Sequence, residues 1–203
     1  MNSRWTAVLA TLVFLALNGC GGGGDDPFSG GTTTVFASNL TLFEDGAVDP
    51  APTDLKVGDL ATDVQMRIGV RFVLVDPLLL VPTADQVQSA TLRLLSTNAV
   101  QSPYAALGSV VVDRVNFGLT LGNGDFAAPV LTANLGTISS APGPGVRDLD
   151  VTAAVVAALT AGSLTSDFLL RFTGMSANQL AEYAAFERST GNGDGPLLLI
   201  TSR

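Results

Sequence analysis

Gln65-Met66-Arg67-Ile68-Gly69-Val70-Arg71-Phe72-Val73-Leu74-Val75 carries an apolar side chain at every second position. Met66, Ile68, Val70, Phe72 and Leu74 fall on one face of an extended chain, and Gln65, Arg67, Gly69 and Arg71 fall on the other. Successive side chains of a strand point to opposite sides, so a period of two predicts a strand with one face against a core. Ala90 to Leu94 and Asp167 to Phe172 alternate in the same way. Leu55 to Gly58, Val110 to Phe117, Val130 to Ile138, Tyr183 to Arg188 and Leu197 to Thr201 are further strand candidates. Gly30-Gly31-Thr32-Thr33-Thr34-Val35-Phe36-Ala37 passes from linker into β-branched strand composition.

The breaks between these runs carry turn chemistry. Asp45-Gly46, Asp49-Pro50-Ala51-Pro52 and Gly122-Asn123-Gly124-Asp125 read as turns, and residues Gly191 to Pro196 as the hinge of a final hairpin or crossover. One helix is expected, running from Ala153 to Leu159 with Thr152 as its cap, Gly162 at its end and Val151 and Val156 as a staple. Eight or more short strands with one short helix predict an all-β fold, a jelly-roll-like sandwich of antiparallel strands. No linker divides the chain after Gly31, so one domain spans residues 32–203.

The first residues read differently. Arg4 precedes an apolar run from Trp5 to Leu17, 13 residues long, well short of the ~18–20 that a membrane-spanning helix requires. Leu17-Asn18-Gly19-Cys20 follows directly. It resembles the lipobox of bacterial lipoproteins, which implies cleavage before Cys20, removal of residues 1–19 and acylation of the cysteine. Each buried CH2 contributes roughly 0.8 kcal/mol, so several acyl chains on one residue hold a protein on a membrane. Residues 20–31, with Gly21 to Gly24 and Asp25-Asp26, are then a solvated tether. Gly21, rather than an aspartate, follows the cysteine, and by the same resemblance this favours the outer membrane within the cell envelope.

Composition removes whole classes of chemistry. The chain has no histidine and a single cysteine, Cys20. Once that thiol is acylated, Ser-His-Asp and Cys-His catalysis, histidine-ligated zinc and disulfides are all excluded. Carboxylate, Tyr or Lys chemistry and oxygen-ligated cations stay open, and the expectation is no enzyme and no cofactor. Loss of Arg4 leaves 9 basic against 18 acidic residues, a charge of 9 − 18 = −9. Such a chain is a poor partner for nucleic acid, whose phosphates are met by Lys and Arg.

The order of segments resembles a known family. Leu55-Lys56-Val57-Gly58, Met66 to Phe72, Val87-Gln88-Ser89-Ala90-Thr91-Leu92-Arg93-Leu94, Leu149-Asp150-Val151-Thr152, Phe168-Leu169-Leu170-Arg171 and Phe186-Glu187-Arg188 before Pro196-Leu197-Leu198-Leu199 look like the DNRLRE domain, or carbohydrate-binding module family 96. The resemblance runs from about Thr33 to Arg203. It implies a non-catalytic module of cell-surface proteins, some of which bind acidic polysaccharide. The Glu187-Arg188 order is reversed from the family's usual one, and the tryptophans that family members often carry are missing.

Four side chains are candidates for ligand contact. Tyr104 follows Pro103 in an expected loop and offers a ring for a sugar face; the alternative is a part in carboxylate or tyrosine catalysis, while Tyr183 and Phe186 are expected in the core or at its rim. Arg67, Arg71 and Arg93 would share or neighbour one outward sheet face if their strands pair, a cationic groove for uronate carboxylates; the alternative is ion pairing with the abundant acids. Glu187 and Arg188 are expected to pair structurally. Glu44-Asp45, Asn123-Gly124-Asp125 and Asn192-Gly193-Asp194 offer oxygens to a structural calcium, or serve only as turns. The expected partners are the membrane through Cys20 and either a polysaccharide or an envelope protein.

Overall fold

A computed structural model of the chain describes residues 30–75, 81–119, 121–188 and 195–203. The expected signal peptide, its lipidation site Cys20 and the expected turn at Asn192-Gly193-Asp194 lie outside the described residues. Among the described residues eleven strands follow in order: β1 (Thr32–Glu44), β2 (Ala47–Asp49), β3 (Leu55–Asp59), β4 (Gln65–Val73), β5 (Val87–Val100), β6 (Val110–Val115), β7 (Val130–Ser139), β8 (Gly145–Asp150), β9 (Thr165–Phe172), β10 (Glu182–Phe186) and β11 (Leu197–Ser202). All pairings are antiparallel. The protein is an all-β sandwich.

Two layers arise because β1 changes partners along its length. Residues Thr32 to Phe36 pair with β11, and after an irregularity between Ala37 and Asn39 the rest pairs with β4. One layer is built around β5, which pairs with β8 on one side and with β11 and β10 on the other. The second runs β1–β4–β9–β6–β7. The faces turned to each other supply the core: Ile68, Val70 and Phe72 of β4, Phe168 and Leu170 of β9, and Leu92, Leu94, Leu198 and Ile200 opposite. At roughly 1.5–3 kcal/mol for each fully buried large apolar side chain, this core dominates the favourable side of folding.

Several expectations need correction. Two α-helices are present among the described residues, α1 (Pro103–Ala106) and α2 (Thr152–Thr160), together with a 3-10 turn at Asn123–Ala127. Thr152 does not cap α2. The cap position is Val151, and the first helical N–H, that of Thr152, is taken by Asp150 Oδ1 at 2.9 Å. Thr152 Oγ1 instead accepts from Ala90 N at 2.8 Å, tying the helix start to β5. The expected hinge over residues 191–196 lies largely outside the described residues. β10 and β11 lie in line along one edge of β5, Tyr183 opposite Val100 and Ser202 opposite Val87, rather than pairing with each other. Among the described residues Glu187 and Arg188 form no ion pair; Arg188 Nη1 donates to Pro52 O at 2.6 Å.

The larger surprise is the outer face of the second layer. Phe43, Val115, Phe117, Ala128 and Leu169 form a separate small core there, with Val48, Leu121 and Phe126 packed against it. Residues 116–119 and 121–129, which follow β6, cross this face as a strap. Gly69 makes room for it: a Cβ at that position would stand 2.7 Å from the Phe43 ring and 3.2 Å from that of Phe117.

Candidate functional site

The two arginines of β4 meet the strap in different ways. Arg71 lies directly across from Asp167 of β9, an opposite-charge pair. Its Nε and Nη2 donate to the two carboxylate oxygens, each at 2.8 Å, and both side chains are buried. The remaining donors hold the strap, Nη2 to Gly118 O at 2.6 Å and Nη1 to Leu119 O at 3.2 Å. Asp167 Oδ2 also accepts from Phe117 N at 3.2 Å. The Asp167 hydrogen bond holds the Arg71 guanidinium above its ordinary value, against the effect of burial. This pair is structural, and it is closed to ligand.

One turn of the pleat away, the same two strands do the reverse. The register carried one residue past the Ile68–Leu170 pair sets Arg67 opposite Arg171. Like charges directly across an antiparallel pair are destabilising. Burial lowers the Arg67 guanidinium from its ordinary value, and the charge of Arg171 lowers it further. A single carboxylate compensates: Arg171 Nε donates to Asp113 Oδ2 at 2.6 Å, and Asn134 N donates to Asp113 Oδ1 at 2.7 Å. Arg67 Nε and Nη2 donate to Gln65 Oε1 at 3.0 and 2.7 Å, Nη1 donates to Phe126 O at 2.8 Å, and the guanidinium lies 4.2 Å over the Phe126 ring.

Between the strap and the residues after β9 this pair floors an open groove of about 490 Å3. Its walls are Ala127, Val130, Ala133, Thr173 and Met175. Two guanidiniums against one carboxylate leave the floor one charge positive. Each guanidinium has five N–H donors, and three on each are engaged. The groove is therefore a cationic slot with apolar sides on an acidic protein.

The four expected contacts thus separate. Arg67 reaches the groove, Arg71 is sealed beneath the strap, and Arg93 stands on the other layer. There Arg93 lies across from Asp148 of β8 and bonds it bidentately at 2.8 and 2.7 Å. The three arginines do not share a face, because β4 and β5 are not neighbours. Tyr104 sits in α1 rather than a loop; its hydroxyl is 2.7 Å from Ser139 Oγ and its ring meets Phe172 edge-on at 5.4 Å. It packs against the core. Arg171 and Asp113 were not among the sequence candidates. Alternation of Arg171 against Phe168, Leu170 and Phe172 was the available signal for the first, and nothing in the local sequence marks the second.

The Asn123-Gly124-Asp125 turn closes on itself, Gly122 N donating to Asp125 Oδ2 at 2.8 Å. Asp45 and Gly46 both take positive φ, 45° and 87°, in the β1–β2 hairpin. Among the described residues no three Asp, Glu, His or Cys side chains gather so as to hold a metal.

Carboxylates do meet behind one wall of the groove. Asp59 of β3 lies across from Glu182 of β10, and both are buried. With Asp63 they hold the segment that follows Met175: Asp59 Oδ2 accepts from Ser176 N at 2.8 Å, Asp63 Oδ1 from Gln179 N at 3.1 Å, and Glu182 Oε2 from Asn178 Nδ2 at 3.1 Å. Burial raises the Asp59 carboxyl above its ordinary value, the Ser176 N–H opposes this, and Asp63 and Glu182 add to the rise. A raised carboxyl binds more protons folded than unfolded just above pH 3.8, so stability gains as pH falls through that window. Asp59→Asn keeps an acceptor for Ser176 and removes the repulsion. It is expected to melt at or above the parent at pH 7, with the difference shrinking towards pH 4; a Tm well below the parent at pH 7 contradicts this.

A scan against protein-family models finds no match for this chain, and a search of curated proteins finds none.

Proposed function

We propose that this chain is a bacterial envelope lipoprotein, acylated on Cys20 and held on the outer membrane. Its sandwich is a non-catalytic module that binds acidic polysaccharide in the Arg67–Arg171 groove. The observation that carries the reading is the like-charge pair across β4 and β9, which works against stability and faces an open groove. A uronate carboxylate would supply the missing charge through the unused N–H donors, while the apolar walls meet the sugar's C–H faces. The DNRLRE-like segment order points the same way. The lack of histidine, and a groove with one carboxylate already bound to Arg171, favour binding over hydrolysis, which needs two carboxyl groups about 5–9 Å apart.

Calorimetry with the signal-free chain tests this. Polyuronates are expected to bind, more weakly as salt rises, and neutral polymers are not. Hydrogen bonds to charged groups contribute about 1.5–3 kcal/mol, so Arg67→Ala and Arg171→Ala should each weaken binding by roughly 10- to 100-fold. Arg93→Ala should leave binding unchanged. Silence across all polyuronates removes the ligand.

A second reading is an envelope protein-interaction lipoprotein without a sugar ligand. It is favoured by the exposed apolar rim of Val130, Leu131 and Met175 beside the outer strand β7. A stoichiometric protein partner recovered from solubilised envelope, displaced by Leu131→Asp, supports it.

A further inference from the structure

The chain enters the sandwich at one end. Thr32 starts β1 opposite Thr201, Ser202 N donates to Gly31 O at 2.9 Å, and Arg203 N donates to Gln86 O at 2.9 Å, so the start of β1, the end of β11 and the start of β5 lie together. β4 runs antiparallel to β1 and finishes at this same end, where Leu74 N donates to Leu164 O at 2.8 Å. Beside that bond two apolar side chains face outward, Val75 at 59% and Leu164 at 65% exposure. Single exposed apolar residues need no explanation on a soluble surface; their position relative to the chain entry gives these two a meaning.

We infer that the end of the sandwich bearing Val75 and Leu164 rests against the bilayer that holds the acyl chains, a lipid-docking surface distinct from the lipid anchor itself. The inference rests on acylation of Cys20. Ten residues, Cys20 to Ser29, precede Gly30, and at most ~3.6 Å each they span no more than about 35 Å. β5 alone has 14 residues, and at ~3.3 Å each it separates the two ends by about 43 Å. Met175 and Leu180, the exposed apolar residues of the far end, are therefore beyond the tether's reach when the domain stands upright. A short tether also raises the effective concentration of the near end at the lipid surface to the millimolar range, so a small apolar contact suffices. Val75 and Leu164 carry no charge, so a contact made through them is apolar and depends little on salt. Arg67 and Arg171 lie near the start of β4 and the end of β9, towards the far end and away from Val75 and Leu164.

Trp5 is the only tryptophan and leaves with the signal peptide, so one introduced indole reports its own depth. The full chain is expressed with its signal, purified and reconstituted in phosphatidylethanolamine–phosphatidylglycerol vesicles with or without brominated acyl chains. Val75→Trp and Leu164→Trp should each lose at least half their emission to bromine, in low and high salt alike, while Leu180→Trp loses none. Vesicle-bound protein in which positions 75 and 164 are quenched no more than 180 overturns the docking and leaves the anchor intact. A chain without acyl mass that fails to float with vesicles overturns both.

Discussion

Asp167→Ala is expected to lower the unfolding free energy by about 3–5 kcal/mol, because it leaves the Arg71 guanidinium buried without a counter-charge. At roughly 2–4 °C per kcal/mol for a domain of this size, Tm should fall by about 6–20 °C. The loss has a second part. Asp167 also accepts from Phe117 N, and Arg71 holds the carbonyls of Gly118 and Leu119. Hydrogen exchange should therefore quicken in residues 116–119 and in Phe43 and Leu169 beneath them, ahead of the β5 layer. A double change of Arg71 to Met and Asp167 to Leu removes the stranded charge but not the orphaned strap carbonyls, so it should recover only part of the loss. Unchanged Tm in Asp167→Ala would mean that the strap holds by its apolar contacts alone.

Gly58→Ala should be comparably severe for a different reason. Gly58 has φ +141°, a conformation that L side chains rarely adopt, and its Cβ would stand 2.1 Å from Glu182 O and 2.7 Å from Tyr183 Cα. Both obstacles are backbone, so no side chain can swing aside and β3 must part from β10. Strained backbone costs about 1–3 kcal/mol and overpacking about 1–3 more, so thermal unfolding should shift down by about 4–24 °C. Gly46→Ala is the comparison. It too has positive φ, but nothing stands within 4 Å of its added Cβ, and it should cost only the strain. Equal losses in the two variants would show that close strand approach plays no part at Gly58.

How far the fold could be read from sequence follows from which forces act locally. Met66, Ile68, Val70 and Phe72 declare their strand because one face is buried and the next residue is not. β8 escaped notice because its alternation is between half-exposed and exposed residues, Arg147, Asp148 and Asp150 among them, and no apolar period marks it. The strap was hidden for the opposite reason. Arg67, Gly69 and Arg71 read as a solvated face, whereas Gly69 is there to admit two phenyl rings from residues distant in sequence. The same limit governs the site. Arg67 was a candidate from its strand alone, but its partner Arg171 is set by the β4–β9 register, and grouping it with Arg93 assumed a pairing that the chain does not make. Tyr104 looked exposed after a proline; a short helix and a Ser139 contact 35 residues away turn it inward.

That Arg67 and Arg171 form the cationic floor of a groove for acidic sugar can be checked with arginine Nε–H resonances of 15N-labelled protein, titrated with an oligouronate. Arg67 and Arg171 should move together and saturably, while Arg71 under the strap and Arg93 on the opposite layer stay in place. Movement confined to Arg93, or no movement at any arginine up to millimolar oligouronate, would contradict the claim.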